Sequence, residues 1–385
     1  MTSAPGFRVV DPVWIPVSDG TRLAARVWLP TDPEHASAPA ILEAIPYRRR
    51  DGTLTIDHGR YAWWAERGFA GVRLDLRGTG DSEGLIEDEY LELEHDDIAE
   101  TIAWIAEQPW SNGRVGMIGY SWGGFNGLQV AARRPPALGA VVSVNSAVRR
   151  YTDDCHYTGG SVNAHDMLSW ATTMLAYDAR PPDPAIVGDR WREQWRARLD
   201  VAPPMIERWL SHQLEDGYWR HGSVAFDYGA VACPVLAVGG WSDPYRNAVL
   251  DLVEHLPGTR FGLLGPWAHG YPHTTDPGPQ IDFLGECARF FGRYLRKDGN
   301  GYEHTPAVRA YMQEYDVPAS LQRRRSGRWV ASAGLQAPPT TVLTLGAAGL
   351  STEAQSLGEH RIGSTQTAGL AAGNWCPYGG QSQPL

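Results

Sequence analysis

The chain has 385 residues, 43% hydrophobic and 20% charged, with a formal net charge of −10. This length suggests two or three domains of about 100–200 residues each, and the composition excludes overall disorder. The acidic balance argues against a nucleic-acid partner, which needs clustered Lys and Arg. No run of 18 apolar residues could span a membrane.

The N-terminal stretch MTSAPGFRVVDP lacks a basic segment followed by an apolar one, so a mature cytoplasmic protein is expected. Val13–Val17, a turn at Ser18-Asp19-Gly20 and Leu23–Leu29 predict a hairpin. A strand at Ala40–Ile45 follows, then Arg48-Arg49-Arg50-Asp51, which reads as a solvated loop. Next come a helix over Tyr61–Arg67, a strand over Phe69–Leu76, and a helix over Glu94–Glu107 with Ile98, Ile102 and Ile105 at helical spacing. Val115–Gly119 predicts a strand, Phe125–Arg134 a helix ended by Pro135-Pro136, and Ala140–Val144 another strand. Strand–helix alternation of this kind implies a parallel sheet covered by helices on both faces, an α/β fold.

From about Ala147 to Tyr228 the pattern breaks. Trp170, Trp191, Trp195, Trp209 and Trp219 lie among charged residues at roughly helical spacing, as in a helical insertion. Strands resume at 234–239 and 261–265, and Ile281–Lys297 predicts an amphipathic helix. After Pro306 the segments Val308–Met312 and Thr340–Leu345 alternate with period two, as in a β domain. The expected organisation is therefore a core in two parts, 1–146 and 229–305, a helical cap at 147–228, and a partial β domain at 306–385. The four cysteines, Cys155, Cys233, Cys287 and Cys376, form no CxxC pair, and no HExxH is present, so no metal or other cofactor is expected.

Gly119-Tyr120-Ser121-Trp122-Gly123 matches G-x-S-x-G, a weak signal alone. Its context strengthens it: a strand precedes the serine and a helix follows, as a nucleophile elbow requires. An ordinary serine N-cap is the plainer alternative. A serine hydroxyl needs a base, and the base needs an orienting carboxylate. Asp243 and His269 each follow a later strand, in the chain order this architecture uses; His273 is a rival base, further from its strand end. The backbone N–H of Trp122 would be one oxyanion donor. Tyr47, after the Ala40–Ile45 strand, is either a second donor or a packing aromatic. Gly78-Thr-Gly80-Asp-Ser-Glu-Gly84 is one residue too long for a dinucleotide fingerprint, so NAD is rejected.

Pro46-Tyr47, Asp75 to Gly84, Gln108-Pro109-Trp110-Ser111-Asn112-Gly113, the Ser121 pentapeptide, Gly240-Trp241-Ser242-Asp243 and Gly265-Pro266-Trp267-Ala268-His269 together resemble the CocE/NonD hydrolases. That group holds cocaine esterases and X-Pro dipeptidyl-peptidases. The resemblance implies an α/β-hydrolase core, an inserted helical cap and a C-terminal jelly roll, here only begun. It also implies Ser121, Asp243 and His269 as a catalytic triad and Tyr47 as a side-chain oxyanion donor.

The function expected is cleavage of acyl esters or amides through an acyl-enzyme. His156, Tyr157, Trp170 and Trp241 are candidate walls of the substrate pocket. The alternative, an X-Pro dipeptidyl-peptidase, needs an acidic group for the substrate's free amine, for which Asp153 or Asp154 could serve. A catalytically silent binding protein is the third reading. Partners are a small-molecule ester or short peptide, with no nucleic acid and no membrane; a homodimer stays open.

Overall fold

The computed structural model describes residues 6–202, 204–317, 319, 321–335, 340–346, 349–356, 358–359 and 363. Its strands in chain order are β1 (Phe7–Pro16), β2 (Arg22–Pro30), β3 (Ala38–Ile45), β4 (Ala70–Asp75), β5 (Ser111–Tyr120), β6 (Leu138–Val144), β7 (Tyr157–Thr158), β8 (Ser161–Val162), β9 (Val235–Gly240), β10 (Arg260–Gly265), β11 (Val308–Gln313), β12 (Gly327–Ser332), β13 (Thr344–Gly346) and β14 (Gly349–Ser351). One large sheet has the spatial order β1-β2-β4-β3-β5-β6-β9-β10-β11-β12. From β4 to β11 every neighbouring pair is parallel. The flanking strands β2, β1 and β12 join antiparallel.

The helices of the core are α1 (Leu54–Ala65), α2 (Glu92–Ala106) and α3 (Trp122–Ala132), with α9 (Arg246–His255) and α10 (Phe283–Phe291) further along. They cover both faces, because successive strand residues point to opposite sides. In β3, Ala40, Leu42 and Ala44 join the core that contains Ile98 and Ile102 of α2 and Leu128 of α3. Ile41 joins the second core, with Tyr61 and Trp64 of α1 and Phe290 of α10. Burial on both faces explains why β3, β4 and β9 are buried along their whole length.

Between β6 and β9 the chain forms the small β7–β8 hairpin and the helices α4 (Ala164–Asp178), α5 (Pro184–Val187), α6 (Trp191–Val201), α7 (Met205–Ser211) and α8 (Gly217–Arg220).

Two local expectations are corrected. Val308–Met312, read as opening a β domain, lies in β11, which pairs in parallel with β10 and, with β12, extends the large sheet. Period two marks a strand but not the sheet it joins. The arginine run is not a solvated loop: Arg49 is fully buried. Its guanidinium lies 2.5 Å from Asp75, 3.0 Å from Asp81 and 3.1 Å from Asp11. Arg48 pairs with Asp51 and donates to the carbonyls of Arg180 and Pro181. Only Arg50 is exposed. Among the described residues, no helix is long and apolar enough to cross a membrane.

Candidate active site

Ser121 caps α3 directly after β5, with φ 56° and ψ −126°. Such a conformation is costly for a residue with a Cβ, by about 1–3 kcal/mol, and persists only where its surroundings impose it. The surroundings here are close. Ser121 N donates to Val144 O at 2.9 Å and Asn145 O at 3.2 Å, and Gly124 N donates to Ser121 O at 2.8 Å. A Cβ at position 119 would lie 2.5 Å from the backbone of Gly123, and one at 123 would lie 2.9 Å from Ile45 Cγ2. The two glycines of G-x-S-x-G are therefore steric requirements of this bend.

Asp243 follows β9 and is fully buried. Its Oδ1 accepts from Tyr245 N at 2.7 Å, and its Oδ2 lies 2.6 Å from His269 Nδ1. His269 follows β10, in a loop held by backbone bonds from Trp241 N to Gly265 O and from Ser242 N to Trp267 O. The Tyr120 ring, one residue before Ser121, lies edge-on 5.4 Å from the His269 ring. His273 instead stacks on Phe283, and burial pushes its pKa down to about 4. The Asp243 contact thus falls to His269.

Sequence reasoning missed Asn145. At φ 49° it follows β6, donates to Gly270 O at 3.0 Å, and accepts from Ser121 N. It ties the serine bend to the histidine loop. An asparagine directly after a parallel strand was the available signal, since Asn tolerates left-handed backbone.

Tyr47 follows β3, its loop anchored by Arg49 N donating to Asp75 Oδ1 at 2.6 Å. Its ring packs edge-on against Trp122 at 6.5 Å and Trp170 at 6.1 Å. Trp170 also lies 6.1 Å from Trp122, so this candidate wall residue sits beside the serine bend. Trp241 donates its indole N–H to Tyr311 O at 2.7 Å, tying the Asp243 loop to β11.

His156 and Tyr157 behave differently. Each is 1% exposed and offers almost no surface to a substrate. The Tyr157 ring stacks on Tyr151, and its hydroxyl donates to Trp209 O at 3.3 Å. His156 lies between two carboxylates, 3.1 Å from Asp154 Oδ2 and 3.1 Å from Glu89 Oε1. Although burial opposes its charge, these partners and Cys155 raise its pKa well above 6.5. Glu89 also pairs with Arg150 at 2.9 Å, and Asp154 accepts from Tyr245 OH at 2.9 Å. The four charges form a buried, balanced network. Asp154, Cys155 and His156 are close enough to hold a metal ion. Yet a protonated imidazole offers no lone pair, and burial pushes the Cys155 thiol up to about 12.

A family profile described as X-Pro dipeptidyl-peptidase (S15 family) matches residues 19–271. The chain belongs to that family, whose members are hydrolases. It is 26% identical to the cocaine esterase of Rhodococcus sp. (strain MB1 Bresler), a match covering 80% of this chain and 59% of the esterase. The chain spans about three fifths of the length of the curated relatives it matches. Its fold is similar to a CocE/NonD family hydrolase from Staphylococcus aureus (TM-score 0.65, 20% identity, 89% of this chain and 59% of the other). It is also similar to an alpha-amino acid ester hydrolase (TM-score 0.63, 21% identity, 94% and 66%).

Proposed function

We propose that this chain is a serine hydrolase that cleaves carboxylic esters through an acyl-enzyme on Ser121. The observation that carries the reading is the 2.6 Å contact between His269 Nδ1 and Asp243; Ser121, next to the Tyr120 ring that packs on His269, is held in a strained strand-to-helix bend. Ser121 Oγ attacks the ester carbonyl carbon while His269 Nε2 takes its proton. Trp122 N–H and Tyr47 O–H hold the oxyanion. The intermediate collapses, the C–O bond to the alcohol breaks, and His269 returns the proton to the departing oxygen. Water repeats the sequence on the acyl-enzyme. Asp243 keeps the proton on Nδ1, leaving Nε2 free to accept, and stabilises the imidazolium. In this reading the inserted helices form a cap over the acyl group, with Trp170 as its wall.

The X-Pro dipeptidyl-peptidase reading needs a carboxylate free to hold an ammonium group. Asp154 is already engaged by His156, Tyr245 and the Cys155 N–H. Asp153 already accepts from Asn247 at 3.0 Å. An uncharged ester is therefore the better substrate. The test is fluorophosphonate labelling of the purified chain with the adduct located by mass, followed by turnover of a neutral p-nitrophenyl ester and of a free-amine X-Pro amide. An adduct on Ser121, absent in Ser121→Ala, with faster turnover of the neutral ester, supports the proposal. No adduct in a folded protein refutes it. Preference for the free-amine substrate would favour the peptidase.

A further inference from the structure

We infer that Glu94 is a positioning residue for the oxyanion hole, gripping the Trp122 indole and thereby setting the direction of the Trp122 backbone N–H. The inference rests on the proposed role of that N–H.

Glu94 lies in the first turn of α2 and is buried. Its Oε1 accepts from Trp122 Nε1 at 2.7 Å, and its Oε2 accepts from Tyr90 N at 2.9 Å. The Asn126 side chain, one turn along α3 from Trp122, lies near this carboxyl group and donates to Ala44 O at 3.1 Å. The Tyr90 ring lies 4.9 Å from Trp122 and stacks on Phe125 at 5.1 Å. One carboxyl group thus joins α2, the Tyr90 loop and the first turn of α3.

Trp122 is held from the other side as well. Tyr47 and Trp170 pack against it, so the proposed side-chain donor touches the same indole. A shift of the indole would move both oxyanion donors relative to Ser121.

A carboxyl group is an expensive anchor in this position. The neighbouring charge that acts on Glu94 is Glu89, of like sign, and burial raises the Glu94 pKa to about 7. Packing alone would be served by an apolar side chain. What the carboxyl adds is a directional grip on an indole N–H beside the nucleophile. Misplacement of a reacting group by about 1 Å can cost roughly 100-fold in rate.

The test uses the full chain, a neutral p-nitrophenyl ester and thermal melting as a fold check. Glu94→Ala should lower kcat by about 10–100-fold while KM changes less than about threefold. Trp122→Phe, which removes the indole N–H together with part of the buried ring and keeps the backbone donor, should lower kcat at least as much. The double variant should be no worse than the poorer single one, because both remove the same bond. Glu94→Gln, which keeps a carbonyl oxygen for the indole, should fall between Glu94→Ala and the parent. Unchanged kcat in Trp122→Phe, or losses that multiply in the double variant, overturns the inference. Should Glu94→Ala fail to fold, Trp122→Phe and Glu94→Gln decide. An active parent with unaffected variants refutes the inference alone; a parent that neither labels at Ser121 nor turns over ester refutes the functional reading and the inference together.

Discussion

Asp243→Asn isolates the orienting carboxylate with almost no change in volume. Asp243 Oδ2 faces His269 Nδ1 at 2.6 Å and Oδ1 accepts from Tyr245 N at 2.7 Å. Both oxygens therefore face donors, but an asparagine has one carbonyl oxygen and one NH2. The Tyr245 N–H is a fixed donor, whereas the imidazole can change tautomer. The amide oxygen should stay on Tyr245, and the NH2 should turn to His269. The imidazole must then accept at Nδ1 and carry its proton on Nε2, where it cannot take the Ser121 proton. A wrong tautomer of this kind costs about 10⁴ in kcat, or about 5.4 kcal/mol of transition-state stabilisation. The assay is steady-state hydrolysis of a neutral p-nitrophenyl ester at pH 7–8, with melting temperature as a control. A folded variant keeping more than a tenth of the parent kcat would refute the assignment of Asp243.

Three further outcomes follow from the same geometry. Tyr47→Phe should lower kcat by about 10²–10³ with the fold intact, as loss of one oxyanion donor does; unchanged turnover would make Tyr47 a packing residue. Arg49→Met should lose about 3–5 kcal/mol in urea unfolding, because it strands buried Asp75 and Asp81. Arg50→Met, at an exposed pair with Asp11, should lose under about 1 kcal/mol; equal losses would contradict the burial argument. The third concerns pH. Burial raises the Glu94 pKa from 4.5 to about 7. Its contribution to stability is therefore fully present below pH 4.5 and is lost as pH rises through about 7. Glu94→Gln removes that dependence, so between pH 4.5 and 8 its stability should gain on the parent by about 3 kcal/mol. Parallel stability–pH curves would show that Glu94 does not titrate in this range.

Much of the candidate site was legible because its signals are local. A glycine two residues on either side of Ser121 records a steric demand of the bend itself. Asp243 and His269 each follow an apolar strand, and strand ends can be read from short runs. Helical spacing identified α2 through Ile98, Ile102 and Ile105, and strand alternation identified β11.

Other features became visible only where distant segments meet. Arg49 lies in a run that looks solvent-facing; its burial depends on Asp11 in one stretch and on Asp75 and Asp81 in another. Period two at 308–312 could not say that this strand adds to the core sheet. Asp153 and Asp154 looked alike in sequence, yet one meets Asn247 and the other His156 and Tyr245. Glu94 looked like an ordinary acidic residue in the first turn of a helix. By itself the sequence indicated most of the core strands, several of the helices and the glycine-flanked serine bend, because backbone sterics and hydrophobic periodicity act over a few residues. Which charges are buried, which partners neutralise them and which carboxyl group grips the residue after the serine were decided by the tertiary structure, because desolvation and ion pairing depend on what the fold brings within a few ångströms.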